Sequence, residues 1–261
     1  MQWTQIEAPE TAAPPAPLTV RVQTIDARSE FPEHDHDWGQ VAYAISGVLT
    51  VVAGGRSFVI SPEQAVWLPA GVTHRVGSLL GAEFRSLWLA RKLACPLPTA
   101  PQVFDVSPLL RALIVEAAAV ADEGYEEGYG ARVTELILDQ LQRARVGHAG
   151  LPWPVSLPLV RLCEALYADP GDNRSVEEWG REVGMSSRTL ARRFEAELGM
   201  SLRSWRRQMR LFKAVEMLGG GVSITHVAME LGYSSNSAFT YAFRSELGTS
   251  PRLYARSGAI A

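Results

Sequence analysis

The stretch "GMSSRTLARRF" occupies residues 184–194, and an altered copy, "GYSSNSAFTYAF", occupies residues 232–243, about 48 positions later. Each copy runs into a similar tail, "EAELGMS" or "RSELGTS". The copies agree at apolar positions spaced for one buried helix face and differ in polar residues on the opposite face. A short apolar helix precedes each of them, "VEEWGREVG" ending at Gly184 and "ITHVAMELG" ending at Gly232. Glycine suits the left-handed turn that stops a helix, and Ser186 or Ser234 then reads as the N-cap of the next one. Helix, glycine turn and capped helix make a helix-turn-helix, and here it occurs twice.

In such a unit the second helix buries one face and lays the other in the major groove of DNA. Leu190, Phe194 and Leu198 are the expected buried set of the first copy, with Phe239, Phe243 and Leu247 as counterparts. The opposite face offers Arg188, Ala191 and Arg192 in the first copy, and Asn236, Ser237, Thr240 and Tyr241 in the second. Arginine can grip guanine O6 and N7 with two hydrogen bonds, and asparagine suits adenine N6 and N7. Residues 201–217 between the copies predict a helical strut about 25 Å long at about 1.5 Å per residue. A strut of that size can hold two reading helices in successive major-groove segments about 34 Å apart. Its "RSWRRQMRLFK" carries Arg206 and Arg207, expected on phosphates.

Charge divides the same way. Residues 1–151 hold 11 Lys+Arg against 17 Asp+Glu, a net of −6, whereas residues 152–261 hold 14 against 11, a net of +3. Eight basic residues, Arg188, Arg192, Arg193, Arg203, Arg206, Arg207, Arg210 and Lys213, fall in one window of 26 positions. A one-sign patch favours phosphate over an ordinary mixed surface. The two cysteines, Cys95 and Cys163, lie in no closely spaced Cys/His motif of a structural zinc site or redox pair, and both are expected to be reduced. The N-terminus has neither a basic start nor an apolar core of the secretory kind, and no apolar run reaches the length of about 18 residues that a membrane helix needs. The expectation is a cytoplasmic protein with no membrane partner.

The acidic half reads differently. Residues 1–17, rich in Pro and Ala, predict a flexible arm. From residue 18 to 103 short β-branched and aromatic runs, among them "LTVRVQTI", "QVAYAISG" and "AEFRSLWLA", predict a small barrel or sandwich. Two helical segments follow within 104–147, with Leu109, Leu113, Ala117 and Val120 recurring in the first and Val133, Ile137 and Leu141 in the second. Their stripes suit packing on the barrel or pairing with a second subunit, and we expect a homodimer through this helix pair. A Gly/Pro-rich linker spans 148–156, and residues 157–261 read as about seven helices. The fold class expected is α+β in two domains, with a β-barrel and helix pair ahead of an all-α tandem helix-turn-helix domain.

Over about residues 155–256 the sequence resembles the AraC family of transcription regulators, on the marks "VGMSSRTLARRFEAELGMSLRSWRRQMRL" and "ITHVAMELGYSSNSAFTYAFRSELGTSPRLYAR". The resemblance implies double-stranded DNA as partner, the base-facing residues named above, and RNA polymerase as a further partner if the protein activates. Two positions depart from the family's habit. Ala191 is too short to hydrogen-bond a base, and Tyr241 stands where many members carry Arg.

In the acidic half, "HDHDWGQVAYAISG" and the later "PAGVTH" place His34, His36 and Gln40 at even spacing, with His74 after a Pro-Ala-Gly turn. On an extended segment even spacing projects side chains to one face. The layout resembles the two cupin motifs, with Gln40 in place of the usual Glu and Gly47 in register. Many AraC-like regulators carry a cupin-like sensor ahead of the DNA-binding half. Three imidazoles suit a divalent transition metal such as Zn or Ni, with Gln40 as a weak fourth ligand. Three readings stay open at this point: a bound metal, a pocket for an organic small-molecule effector, and a metal-dependent cupin enzyme fused to a DNA-binding domain. Trp38, Tyr43, Trp67 and Trp88 are expected as core or pocket wall.

Overall fold

The structure is a computed structural model, and it describes the chain apart from residues 1–2, 8–14, 16, 122–123, 126, 146–149, 248–249 and 259–261. It divides into two compact units, Met1–Gly150 and Leu151–Ala261. The cut falls inside the expected linker.

The first unit contains β1 (Thr4–Gln5), β2 (Leu18–Ile25), β3 (Ser29–Glu30), β4 (Gly39–Gly47), β5 (Leu49–Ala53) and β6 (Arg56–Ile60). Then come β7 (Gln64–Leu68), β8 (His74–Ser78), β9 (Ala82–Leu89), α1 (Arg91–Ala94), β10 (Gln102–Asp105), α2 (Pro108–Ala119) and α3 (Gly128–Arg143). Within this unit one sheet runs β1-β3-β8-β5-β6 and the other β10-β7-β4-β9-β2. Side chains alternate along β4. Ala42 and Ala44 join Leu49, Val51, Val66, Leu68, Val76 and Phe84 in the core between the sheets. Val41 and Tyr43 point the other way, into a second core with Trp67, Leu87 and the buried faces of α2 and α3. Strand period two thus gives the second sheet an apolar residue on both faces, and the helix pair covers the outer one.

Several expectations change in detail. The arm is not loose at Thr4–Gln5, which pairs in parallel with Ser29–Glu30. Its residues 8–14 and 16 lie outside the described residues. Strand β8 was not anticipated, because "HRVGS" is poor in β-branched residues; antiparallel neighbours on both sides, β5 and β3, hold it extended. Strand β10 pairs with β7, so the barrel runs to Asp105 and not to residue 103. On α2 the buried stripe is Leu110, Leu113, Ile114 and Ala117, while Leu109 is 51% exposed, one position out of the expected register.

Gly39 opens β4 under the indole of Trp67, where a Cβ would lie 2.1 Å from the ring. Only glycine lets that ring come so close to the strand backbone.

The second unit begins with an extended Leu151–Pro152 and holds α4 (Leu157–Ala168), α5 (Val176–Glu182), α6 (Ser187–Leu198) and α7 (Leu202–Gly219). It ends with α8 (Ile224–Glu230), α9 (Asn236–Leu247) and α10 (Pro251–Gly258). These are the expected seven helices, with ends differing by a residue or two. Gly184 (φ 71°) and Gly232 (φ 70°) are both left-handed, as a helix stop requires. Ser186 caps α6 by accepting from Thr189 N at 3.2 Å. In the second copy the cap is Ser235, which accepts from Ala238 N at 3.1 Å, and not Ser234. The extra residue of that turn moves the cap one place along.

Each helix-turn-helix has its own aromatic core. In the first, the Trp205 ring lies 6.0 Å from Phe194 and 5.8 Å from Trp153, and its indole N–H donates to the Pro152 carbonyl at 2.7 Å. In the second, Phe239 and Phe243 are fully buried. Leu190, Phe194 and Leu198 are buried as expected, but Leu247 is 43% exposed. Tyr254 of α10 packs on Phe243 at 5.6 Å and supplies the cover that Leu247 was expected to give.

Candidate functional site

Burying Leu190 and Phe194 on α6 leaves Arg188, Ala191 and Arg192 on its exposed side. On α9, Asn236, Ser237 and Tyr241 are exposed, Tyr241 by 78%, and Thr240 is half-buried. The Asn236 amide donates to Thr225 Oγ1 of α8 at 2.9 Å, which fixes its side chain.

The basic window does not act as one patch. Arg206 donates from Nη1 to the Arg174 carbonyl at 2.7 Å and from Nη2 to the Asp172 carbonyl. Arg210 donates to the Pro170 carbonyl at 2.8 Å and to Asn173 Oδ1 at 3.1 Å. Both guanidiniums therefore brace the loop between α4 and α5. Burial raises the Asp172 carboxyl pKa, but hydrogen bonds from Arg174 and the charges of Arg174 and Arg206 outweigh it and leave it lowered. Lys213 is buried, paired with Glu216 at 3.0 Å and set over the Tyr167 ring. Arg207 is different. Its side chain is 65% exposed, with one ion pair to Glu246 at 3.3 Å. The expectation of Arg206 as a phosphate contact gives way to a bracing role, while Arg207 keeps a free donor surface. Arg206→Ala is accordingly expected to lower the stability of the second unit by about 1–3 kcal/mol, by removing the guanidinium hydrogen bonds that brace the loop. Urea unfolding of the full chain reads this; an unchanged midpoint with weaker DNA binding would return Arg206 to the phosphates.

In the first unit, His34, His36 and His74 come together, each with a ring nitrogen within 4.8 Å of the others. Strand parity does not bring this about, since β4 begins only at Gly39. His34 instead pairs with His74 through two backbone hydrogen bonds of 3.1 and 2.9 Å, and a bend at 37–38 returns the chain to β4. Gln40, on the interior face of β4, is 4% exposed.

The tautomers follow from the surroundings. Nδ1 of His34 lies 2.8 Å from the Pro32 carbonyl, that of His36 2.8 Å from the Trp38 carbonyl, and that of His74 2.7 Å from the Val72 carbonyl. A carbonyl only accepts, so each Nδ1 carries a proton, and in a neutral ring Nε2 is then the nitrogen left to ligate. Gln40 Oε1 lies 2.9 Å from His36 Nε2 and 3.0 Å from His74 Nε2, while the amide nitrogen donates to Ser86 Oγ at 2.7 Å. With neutral Nδ1–H rings, Nε2 of His36 and of His74 meets the Gln40 carbonyl oxygen acceptor to acceptor, an arrangement that a cation relieves. Burial, with His34 and His36 alongside, pushes the His74 pKa down to about 4 against the opposing pull of the Val72 carbonyl, so its imidazole is neutral. His36 stacks on Trp38 with centroids 4.8 Å apart, and Trp38 lies 5.0 Å from Trp88. Ser86, which orients Gln40, was not singled out from the sequence. Its signal was a polar residue at an inward position of "FRSLW".

A helix-turn-helix domain model matches residues 179–257, and an AraC-like ligand binding domain model matches residues 19–93. The HTH-type transcriptional regulator NimR of Escherichia coli (strain K12) is 30% identical over 223 residues, covering 85% of this chain and 81% of that protein. The virulence regulon transcriptional activator VirF of Yersinia enterocolitica is 27% identical over 232 residues, covering 84% and 80%. Among solved structures, ToxT from Vibrio cholerae O395 aligns over 91% of this chain and 96% of its own at 12% identity, with a TM-score of 0.38. The chain belongs to the AraC family: it is a DNA-binding transcriptional regulator with a ligand-binding domain ahead of its helix-turn-helix domain. Its relatives are regulators and not enzymes, which sets the fused-enzyme reading aside. Among the described residues no helix is long and apolar enough to cross a membrane.

Proposed function

We propose that this regulator reads double-stranded DNA with α6 and α9 and that its sensor is governed by a divalent transition metal, Zn or Ni, at His34, His36, His74 and Gln40. The observation that carries the sensor reading is the convergence of three histidines whose ligand nitrogens lie within 4.8 Å of one another, each with its Nδ1 on a backbone carbonyl. His34, His36, His74 and Gln40 would hold the ion, the histidine nitrogens closing from within 4.8 Å of one another to about 3.5 Å. Four neutral ligands would leave its charge uncompensated and attract an anionic effector. The Trp38 indole N–H, buried and without a partner among the described residues, is a donor in the ring stack beside His36.

On the DNA side, Arg188 and Arg192 are the bidentate readers, Ala191 offers only a methyl contact, and Arg207 meets phosphate. Asn236, Ser237, Thr240 and Tyr241 form the second reading face. Leu109 and Val115 on α2, with Tyr129 and Leu136 on α3, leave apolar surface exposed that suits a homodimer. RNA polymerase is a partner if the protein activates.

Selection of bound sites from random DNA tests the reading. Arg192→Ala is expected to weaken the preferred site by about 1–3 kcal/mol and relax preference at one position. Arg207→Ala is expected to weaken all sequences alike and to reduce the salt slope by about one. Equal base-preference profiles for wild type and Arg192→Ala would remove Arg192 from the reading face.

A further inference from the structure

A cavity of about 550 Å³ lies on the outer face of the second sheet, between the segment after α1 and the end of α3. It sits on the face of that sheet opposite Gln40 and the histidines, because Trp67 alternates outward on β7 where Leu68 points in. Trp67, Leu97, Phe104 and Leu141 line it, each no more than 8% exposed. Thr99, Gln102 and Gln142 add a hydroxyl and two amides. All ten of its described lining residues are uncharged.

The walls are held before any ligand arrives. The Trp67 indole N–H donates to the Pro98 carbonyl at 2.7 Å, which fixes the ring by its edge over Gly39. Pro96 and Pro98 restrict the loop on one side. On the other, Ser107 Oγ donates to Gln140 Oε1 at 3.0 Å and Asp105 N to the Arg145 carbonyl at 3.1 Å, clipping the end of α3 beside β10. The volume lies in the range of about 300–1,000 Å³ typical of small-molecule sites, and an apolar floor with a few neutral polar groups is their usual chemistry.

We propose that this cavity binds a neutral, flat, largely aromatic molecule of one or two rings bearing an amide or hydroxyl group. Trp67 and Phe104 give the cavity an aromatic lining for a flat apolar body, and the two glutamines and Thr99 can pair with one neutral polar group. A carboxylate or ammonium would meet no opposite charge among the ten lining residues. The last turn of α3 forms one wall, and the second unit starts seven residues beyond Ala144, at Leu151. Occupation would therefore bear on the chain leading to the DNA-binding half; that regulatory role rests on the function proposed above, whereas the binding site does not.

The probes are 2-naphthamide and 2-naphthoate, which share a ring system and differ in charge. They are titrated into full-length protein labelled with 5-fluorotryptophan, without DNA, and the ¹⁹F resonance of Trp67 is assigned by its loss in Trp67→Phe. The amide is expected to shift that resonance saturably at one molecule per chain, with the carboxylate at least about tenfold weaker. Ala144→Phe, at a half-buried position, fills the cavity and is expected to abolish the shift with melting unchanged. Thr99→Trp, at an exposed position, serves the same purpose if Ala144→Phe fails to fold. No saturable shift, equal binding of the carboxylate, or a shift surviving both filling variants overturns the proposal. Because DNA is absent, failure of the DNA reading appears separately, in the site selection.

Discussion

Alanine at position 74 is expected to empty the sensor of metal: full-length protein purified without chelator should fall from about one ion per chain to less than about one in ten, by elemental analysis. His74 is the most buried of the three histidines, at 1% exposure. Its Nδ1–H is committed to the Val72 carbonyl and its Nε2 lies 3.0 Å from Gln40 Oε1. Removing it leaves two imidazoles and an amide, too few strong donors for a stable site. The backbone pairing of residue 74 with His34 does not involve the side chain, so β8 and the barrel are expected to persist. Ser86→Ala makes a graded companion. It frees the Gln40 amide to turn and is expected to weaken metal affinity by about 10–100-fold without removing a histidine. His74→Ala protein retaining its metal would take the histidine cluster out of the sensor. Wild-type protein that carries no metal, and takes up neither Zn nor Ni on titration, would leave the organic-pocket reading in its place.

Trp205→Ala is expected to cost the second unit about 3–5 kcal/mol, through the cavity left by a fully buried indole. The orphaned Pro152 carbonyl adds about 1 kcal/mol more. Domains of this size have only about 5–15 kcal/mol in reserve, so the first helix-turn-helix should be poorly populated at physiological temperature and specific DNA binding largely lost. No reading residue is touched by this change. Trp205→Phe keeps a ring against Phe194 and is expected to recover most of the loss. Urea unfolding of the full chain followed by helical circular dichroism reads the effect, with metal content as an internal control for the first unit. An unchanged midpoint in Trp205→Ala would contradict the packing described here.

The two units differ in how much of them the sequence exposes. The tandem helix-turn-helix was legible because its determinants are local. Left-handed glycines, serine caps and a 3.6-residue stripe can all be read within a dozen positions. Even there, the Ser235 cap and the exposure of Leu247 depended on one extra residue and on α10 folding back. The first unit was legible as strands wherever β-branched residues alternate. It was illegible at β8, where pairing partners supply what composition lacks.

Short-range patterns in the sequence carry the duplication, the helices of the second unit, the exposed faces of α6 and α9 and the residue types of the histidine cluster. Each follows from propensity and periodicity over short spans. Which charges are free and which donors converge depends on the folded chain. Arg206 and Arg207 are neighbours of one type, yet a loop folds over one and leaves the other in solvent. His34, His36 and His74 are drawn together by a backbone bridge and a bend, and each tautomer is set by a carbonyl that only the folded chain presents. Burial and hydrogen-bond partnership are properties of the segments that pack around a side chain, and those segments lie far away in sequence.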